Sequence, residues 1–516
     1  MTELGGKKGK ILAVLVVVLV ISAIAVAIVM SGGTTNDGNG DGTDEDTVVS
    51  NQIEASAMIG ELGWEALTDV AVDDNGDVFV LGRVEAAINS TTSSAADKTY
   101  GGYSELILAK YSSDLETMLL CTYLGGSGEE MSNEILIGSD GYIYVAGGTT
   151  STDFPVTDGA AIVTGPAGLG DTVWTNFVCR FTSDLSEISA CTYIGGVVDD
   201  PCCQLALTSS NKVIVGSTSD GTGSNGTLGA FSETPSGLND IFITILSADL
   251  SDIDVFTYLG GSERDRLYDM TIDDQGDILL ACGTTRKVDD PAIPFPITNG
   301  TYRTESDSPG YGGNIEGIVV RFSADLSELK ASTYFGSDDT DLILGICIDP
   351  EGGIVICGQT SGEIDTTEGA YATSKVTTLQ GFVAKLDADL TEVTECTYIG
   401  TGTTYILSIQ CDDQGRIYLH GMTGGFPTTE GAISETYGGY NSDMFLAQLS
   451  SNLAFLRSST YLGGNYDEGD GYGMTVSAND TVYIAGWTTS TNFPAAGMGN
   501  TTADHADGFV LKITFG

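Results

Sequence analysis

Six short stretches constrain this chain more than anything else in it: TYLGG, TYIGG, TYLGG, TYFGS, TYIGT and TYLGG, whose tyrosines are Tyr123, Tyr193, Tyr258, Tyr334, Tyr398 and Tyr461. Successive tyrosines lie 63 to 76 residues apart. A period of that length marks copies of one supersecondary unit, each too small to bury its own apolar face and stable only when stacked on its neighbours. One period before Tyr123 stands IGELGWE, residues 59–65, a decayed copy that keeps Gly60 and Gly63 but lacks the tyrosine. Seven units follow.

Each unit reads as four strands. In LTDVAVDDNGDVFVLG, residues 67–82, two apolar-alternating runs flank an Asp-Asn-Gly-Asp turn, a hairpin signal because asparagine and glycine tolerate positive φ. MTIDDQGDILLA and IQCDDQGRIYLH repeat the pattern. A third strand recurs as ILAKY, FVCRF, FITIL, IVVRF, FVAKL, FLAQL and FVLKI, and an SDL, ADL or SNL turn leads from it into the strand that ends in Thr-Tyr. Four antiparallel strands per unit make one blade of a β-propeller. The last unit stops after its third strand, whereas NQIEASAMIG, residues 51–60, has the character of a fourth strand and no unit of its own. Pairing the two closes the ring and removes its open edges. The expected fold is an all-β, seven-bladed propeller over 51–516, with approximate blades 63–124, 125–195, 196–260, 261–336, 337–400, 401–463, and 464–516 completed by 51–62.

TYLGG, DDQGD, STDFPVTDGA (151–160), TTEGAY (366–371) and FVAKLDADL together resemble the seven-bladed β-propeller repeat family called SBBP, found in bacterial and archaeal surface proteins. The resemblance covers roughly 51–516 and implies an extracellular repeat domain without an established activity. Phe-Pro survives only at Phe154-Pro155, Phe295-Pro296, Phe426-Pro427 and Phe493-Pro494, so loop structure is expected to vary among units.

The N-terminus carries targeting information. Lys7, Lys8 and Lys10 form a basic stub over 1–10, followed by an apolar run over 11–30 that is long enough to cross a bilayer as one helix. This reads as an uncleaved single-pass anchor with a cytoplasmic N-terminus and everything after it outside. A cleaved signal sequence and a pilin-like leader cut at Gly9 are the alternatives. Residues 31–50, rich in glycine, threonine and acids, form a self-repelling linker. Within it Asp37, Asn39, Asp41 and Gly42 open like a calcium loop, but Val48 stands where the closing glutamate belongs.

Charge removes whole function classes. Asp and Glu number 71 against 20 Lys and Arg, a formal charge of -51, so nucleic-acid phosphates are repelled. Just after the Gly-Gly pairs, on the face expected to carry all the long second-to-third connections, gather Glu129, Glu130, Asp199, Asp200, Glu263, Asp265, Asp338, Asp339, Asp467 and Glu468. Carboxylates from neighbouring blades suit calcium, and they serve equally as solvated loop residues. TGTTY, residues 401–405, breaks the series.

No catalytic residues are assigned. His420 and His505 share no spacing with a nucleophile, and neither G-x-S-x-G nor H-E-x-x-H occurs. Two cysteine pairs sit symmetrically about hairpin turns, Cys179 with Cys191 and Cys347 with Cys357, and are candidate disulfides or packed thiols. Asn89, Asn225, Asn299, Asn479 and Asn500 begin glycosylation sequons. The expected function is a membrane-anchored, non-catalytic extracellular scaffold for adhesion or envelope structure, binding a protein or glycan through the long-loop face, with calcium as the one possible cofactor. The alternative is a carbohydrate-active ectoenzyme, a lyase or hydrolase, using carboxylates at the channel mouth.

Overall fold

The computed structural model describes residues 46–516 apart from 61–62, 89, 167, 171–172, 199–200, 222–224, 286–292, 307–313, 440–441, 470–472, 478–479 and 496–504. The stub, the apolar run 11–30 and most of the linker lie outside the described residues. Among those described, no helix is long and apolar enough to cross a membrane.

The strands form a seven-bladed β-propeller. The first blade is Glu65–Val72, Val78–Val84, Glu105–Tyr111 and Met118–Leu124; the second is Glu130–Ile137, Ile143–Thr149, Trp174–Phe181 and Ile188–Val198. The third runs Cys203–Leu207, Val213–Ser219, Asp240–Leu246 and Ile253–Leu259, and the fourth Asp265–Ile272, Ile278–Thr285, Ile315–Phe322 and Leu329–Phe335. Asp341–Ile348, Ile354–Thr360, Gln380–Leu386 and Val393–Ile399 make the fifth; Thr404–Cys411, Ile417–Thr423, Asp443–Leu449 and Leu456–Leu462 make the sixth. In the seventh the first strand is split into Glu468–Gly469 and Met474–Ser477, followed by Thr481–Thr488 and Asp507–Phe515. Its outer strand is Asn51–Ile59, paired antiparallel with Asp507–Phe515 from Asn51 opposite Phe515 to Ile59 opposite Gly508. The ring is therefore closed by backbone hydrogen bonds between the two ends of the chain's β-structure.

First strands of successive blades contact one another and so converge on the axis. The apolar core sits between blades rather than in one central mass: Phe79, Leu106 and Leu108 of the first blade pack on Ile135, Val145 and Phe177 of the second. Second strands are buried along all or nearly all of their length, completely in Ile143–Thr149 and Val213–Ser219, because a blade is covered on both sides. In five blades the first strand carries a β-bulge, between Leu67 and Asp69, Ser132 and Glu134, Leu267 and Asp269, Ile343 and Gly345, and Ile406 and Ser408. The bulge re-aims the residue after it. Asp69 thereby accepts the amide of Ile135 in the next blade at 2.8 Å, and Asp269 that of Ile346 at 2.8 Å.

The register of the fifth-blade hairpin decides the cysteines. Pairing runs unbroken from Ile348 opposite Ile354, which sets Cys347 opposite Val355 and Gly345 opposite Cys357, so Cys347 and Cys357 do not face each other and both are free thiols. This corrects the pairing expected from their symmetric spacing. Cys347 instead reaches the neighbouring blade, where its Sγ lies 2.8 Å from that of Cys411. Cys179 and Cys191 are directly opposed, with Cα atoms 4.0 Å apart, and are joined by a disulfide.

At the tight-turn end the first-to-second turns of the first, fourth, fifth and sixth blades are knotted by a leading aspartate: Asp73 accepts the amides of Asn75 and Asp77, both at 2.9 Å, and Asp273, Asp349 and Asp412 do the same. The third-strand bases close over these turns, Lys110 on Asp77 at 2.9 Å, Arg321 on Asp277 at 2.9 Å and Lys385 on Asp349 at 3.3 Å. The third-to-fourth turns place a leucine in the left-handed region, at Leu115, Leu185, Leu250, Leu326, Leu390 and Leu453, with φ from 52° to 58°. A left-handed non-glycine residue costs about 1–2 kcal/mol. These leucines are all buried, and burial of a leucine side chain, about 1.5–3 kcal/mol, offsets that cost.

Candidate functional site

The Thr-Tyr repeat is a loop anchor. In the first blade the second-to-third connection folds back along the outer strand, where Thr92 N donates to Cys121 O at 3.1 Å and Tyr123 N to Asp97 O at 3.1 Å. The motif threonine takes the loop backbone next: Asp97 N donates to Thr122 Oγ1 at 2.9 Å. The tyrosine hydroxyl takes it higher up, accepting from Ile88 N at 2.7 Å and donating to Ile88 O at 3.1 Å. Tyr398 does the same to Ile364 and Tyr461 to Phe426. Equivalent backbone pairs hold Thr157, Thr227, Thr298, Thr367 and Thr429 in the five blades that follow.

Beyond its own blade, the tip of the loop docks on the next blade in the first five blades. Ala96, Ala161, Phe231, Tyr302 and Tyr371 donate their amides to the carbonyls of Leu185, Leu250, Leu326, Leu390 and Leu453, the left-handed leucines of the following blades. At the seam no such turn exists, because the seventh blade's outer strand comes from the other end of the chain. There Ile433 N donates to the side-chain Oδ1 of Asn51 at 2.9 Å. Asn51 thus replaces the missing leucine carbonyl.

The long connections consequently do not all stand on one face, as their topology alone suggests: their middles form a belt around the rim. What remains on the end opposite the tight turns is the junction between blades. There the structure separates the acids that follow each Gly-Gly. Glu130, Asp265 and Glu468, together with Asp341, are the first residues of first strands and are buried; Glu129, Glu263 and Asp467 are half-buried, and Asp338 and Asp339 exposed. Asp199 and Asp200 lie outside the described residues.

Three of these buried acids meet a second acid that begins the third strand of the preceding blade, Glu105 beside Glu130, Asp240 beside Asp265 and Asp443 beside Glu468. Glu105 Oε1 accepts the amides of Gly101 and Gly102 at 2.7 and 3.1 Å. Asp240 Oδ2 accepts Gly237 N at 3.1 Å, and Asp443 Oδ2 accepts Gly438 N at 2.7 Å. Their other oxygens, Glu105 Oε2, Asp240 Oδ1 and Asp443 Oδ1, are buried and have no hydrogen-bond partner among the described residues. A Cβ on Gly260 would sit 2.6 Å from Asp265 Oδ2 and closer still to Asp240 Oδ1; one on Gly125 would sit 2.9 Å from Glu130 Oε2. The first glycine after each tyrosine therefore leaves room between two facing carboxylates. Burial raises their protonation, with Glu105, Asp265 and Glu468 pushed up to about 7, and the charge of the paired acid adds to the effect.

Between the fourth and fifth blades the junction opens into a cleft of about 710 Å³. Arg303 and Lys375 enter it beside Ser337, Asp338, Glu363 and Asp365. Arg303 Nη1 donates to Gly336 O at 2.8 Å, and Lys375 Nζ donates to Ser361 O, so both cations are fixed by backbone carbonyls. Around the same end the backbone also holds out apolar side chains: Tyr103 and Leu238, each two residues before a third-strand acid, are 73% and 54% exposed. Their amides are bonded to Gly128 O at 3.0 Å and Glu263 O at 3.3 Å. His420 is buried against Phe445 O at 3.0 Å, and His505 is exposed. The sequon asparagines Asn225 and Asn299 are exposed; Asn89, Asn479 and Asn500 lie outside the described residues.

No protein-family model and no curated protein sequence matches the chain. Solved structures do. A protein of unknown function from Dyadobacter fermentans aligns over 90% of this chain and 99% of its own, at 13% identity and a TM-score of 0.43. An ulvan lyase of polysaccharide lyase family PL25 aligns over 83% of this chain and 93% of its own, at 10% identity and a TM-score of 0.43. The β-propeller domain of the Trilobed protease from Pyrococcus furiosus, described with an open velcro topology, aligns over 83% and 91%, at 8% identity and a TM-score of 0.39. The assignment of seven blades rests on the strand pairing of this chain itself.

Proposed function

We propose that this chain is a membrane-anchored extracellular binding scaffold of the SBBP-repeat kind, which holds a glycan at the end of the ring opposite its tight turns. The observation that carries the reading is the cleft between the fourth and fifth blades. It mixes two fixed cations, three carboxylates and serine hydroxyls at the mouth of a scaffold whose loops are hydrogen-bonded in place. Sugar hydroxyls donate and accept at once, and a wall offering both kinds of partner suits them better than it suits an apolar ligand or a simple anion. The anchor is supported by the apolar run 11–30 and its lysine flank.

Screening the purified protein on a glycan array tests this. Binding that is abolished in Arg303→Ala/Lys375→Ala supports the reading; binding that survives in that variant removes the cleft from it. Capture of a protein but no glycan would make the same end a protein-binding surface. Turnover of a bound polysaccharide that is lost in Asp338→Asn or Glu363→Gln would make the protein an ectoenzyme instead. Recovery of the chain in the soluble fraction of cells, with 11–30 intact, would sink the anchor.

A further inference from the structure

The facing acids at the blade junctions ask for a positive charge. Two carboxylates from different blades are buried against each other at the first-to-second, third-to-fourth and sixth-to-seventh junctions, and in each the third-strand acid keeps one oxygen without a partner among the described residues. Glu105 and Glu130 are 2% and 0% exposed, Asp240 and Asp265 1% and 0%, Asp443 and Glu468 0% and 1%. Burying paired anions without a counter-charge is costly enough that folded chains avoid it.

Two other junctions of this ring show what takes that place. At the fourth-to-fifth, Arg303 brings its guanidinium to the carbonyl of Gly336, beside Asp341. At the fifth-to-sixth both acids are absent: Gln380 and Thr404 stand in their positions, and Gln380 Nε2 donates to the carbonyl of Gly400 at 3.0 Å. Gly336 and Gly400 are the counterparts of Gly125, Gly260 and Gly463. At both of these junctions the donor points at this glycine carbonyl. Where two acids stand, the glycine lies against their side chains instead: Gly125 against Glu105 and Glu130, Gly260 against Asp240 and Asp265, and Gly463 against Asp443.

We infer that the acid pairs Glu105 with Glu130, Asp240 with Asp265, and Asp443 with Glu468 each bind a hard divalent cation, calcium by its preference for several carboxylate and carbonyl oxygens. The sites differ from a ring at the channel mouth in using the buried acids and their third-strand partners rather than the exposed acids of the connections. Each cation joins two blades, so calcium would tie the ring at successive junctions. This inference is independent of the glycan reading, since none of these acids lines the cleft.

Equilibrium dialysis of the full-length protein in mild detergent against radioactive calcium, after chelation and desalting, tests it. The expected result is uptake of one ion per pair, with one ion fewer in Glu105→Gln/Glu130→Gln and one fewer in Asp240→Asn/Asp265→Asn. Glu129→Gln/Glu263→Gln, which touches only the connections, should leave uptake unchanged. Should a double variant not fold, terbium bound by the wild type and excited through tyrosine gives a second reading, because Tyr258 and Tyr461 adjoin the second and third pairs. Calcium-displaceable terbium emission is expected. No uptake and no emission by the chelated wild type would overturn the inference and leave shared protons as the counter-charge; uptake undiminished in both double variants would overturn it as well.

Discussion

Replacing Tyr398 by phenylalanine isolates what the repeated tyrosine does. The ring stays in its interblade pocket, and only the hydroxyl is lost, with its bonds to Ile364 N at 2.7 Å and Ile364 O at 3.2 Å. Both backbone groups are buried, so the variant leaves an amide and a carbonyl unsatisfied, about 1–3 kcal/mol for each before the loop relaxes. Relaxation of the connection recovers part of this, and a net loss of about 2 kcal/mol is expected. A ring of this size has an unfolding entropy of roughly 1 kcal/mol per degree, so the melting temperature should fall by only about 2 °C. Hydrogen exchange is the sharper assay. Opening of the connection around Ile364 becomes easier by the same 2 kcal/mol, about 30-fold faster exchange in peptides covering 361–367, with little change in the strands of the same blade. Unchanged protection there would refute the anchoring role and assign the conserved spacing of the motif to ring packing alone.

Four further outcomes follow from the geometry. Burial pushes the carboxyls of Asp69 and Asp269 up to about 7, so the folded state holds protons that the unfolded chain releases near pH 4; stability should be highest below that pH and fall as pH rises through 7. Asp69→Asn/Asp269→Asn should flatten this fall, at the cost of one backbone hydrogen bond per site because each carboxylate accepts two amides, and an unchanged slope in melting temperature against pH would contradict it. Mild oxidation should link Cys347 to Cys411, and peptide mapping that finds Cys347 linked to Cys357 would contradict the register of the fifth blade. Leu390→Gly removes a left-handed strain of about 1–2 kcal/mol but deletes a buried side chain worth about 2–5, so it should destabilise by about 2 kcal/mol; a gain in melting temperature would show that the side chain contributes little. Asn51→Ala should cost about 1–2 kcal/mol and loosen the loop tip around Ile433, seen as faster exchange there, whereas equal protection would show that the seam does not depend on that side chain.

The blade count and the closing strand were legible because they depend on period and on two-residue alternation, which survive in every copy. The anchoring role of Thr-Tyr was not: a tyrosine at a strand end reads as core until the loop it holds is seen beside it. The left-handed leucines were hidden for a physical reason, since sequence rules reserve positive φ for glycine and asparagine, and only burial makes leucine acceptable there. The acid pairs were half visible. Glu130, Asp265 and Glu468 stand out after Gly-Gly, whereas Glu105, Asp240 and Asp443 read as polar entries to the third strand; an acid two residues before that strand's first core residue was the available signal. Cys347 was misplaced because the hairpin pairs Ile348 with Ile354 and so turns about residue 351, one residue before the centre of the Cys347 and Cys357 spacing, and the sequence does not reveal where a turn is centred.

The seam gives the ring a direction. The closing strand enters at Asn51 and the chain leaves at Phe515, and these two residues are opposite each other, with Gly516 N bonded to Ser50 O at 2.9 Å. Both lie at the end of the tight Asp-Gly and Asp-Leu turns, and the cleft of Arg303 and Lys375 opens at the other. Residues 50 and 516 therefore leave the ring at one and the same pole, like two wires drawn through a single stem, and a fusion partner joined at either is attached at the pole away from the cleft.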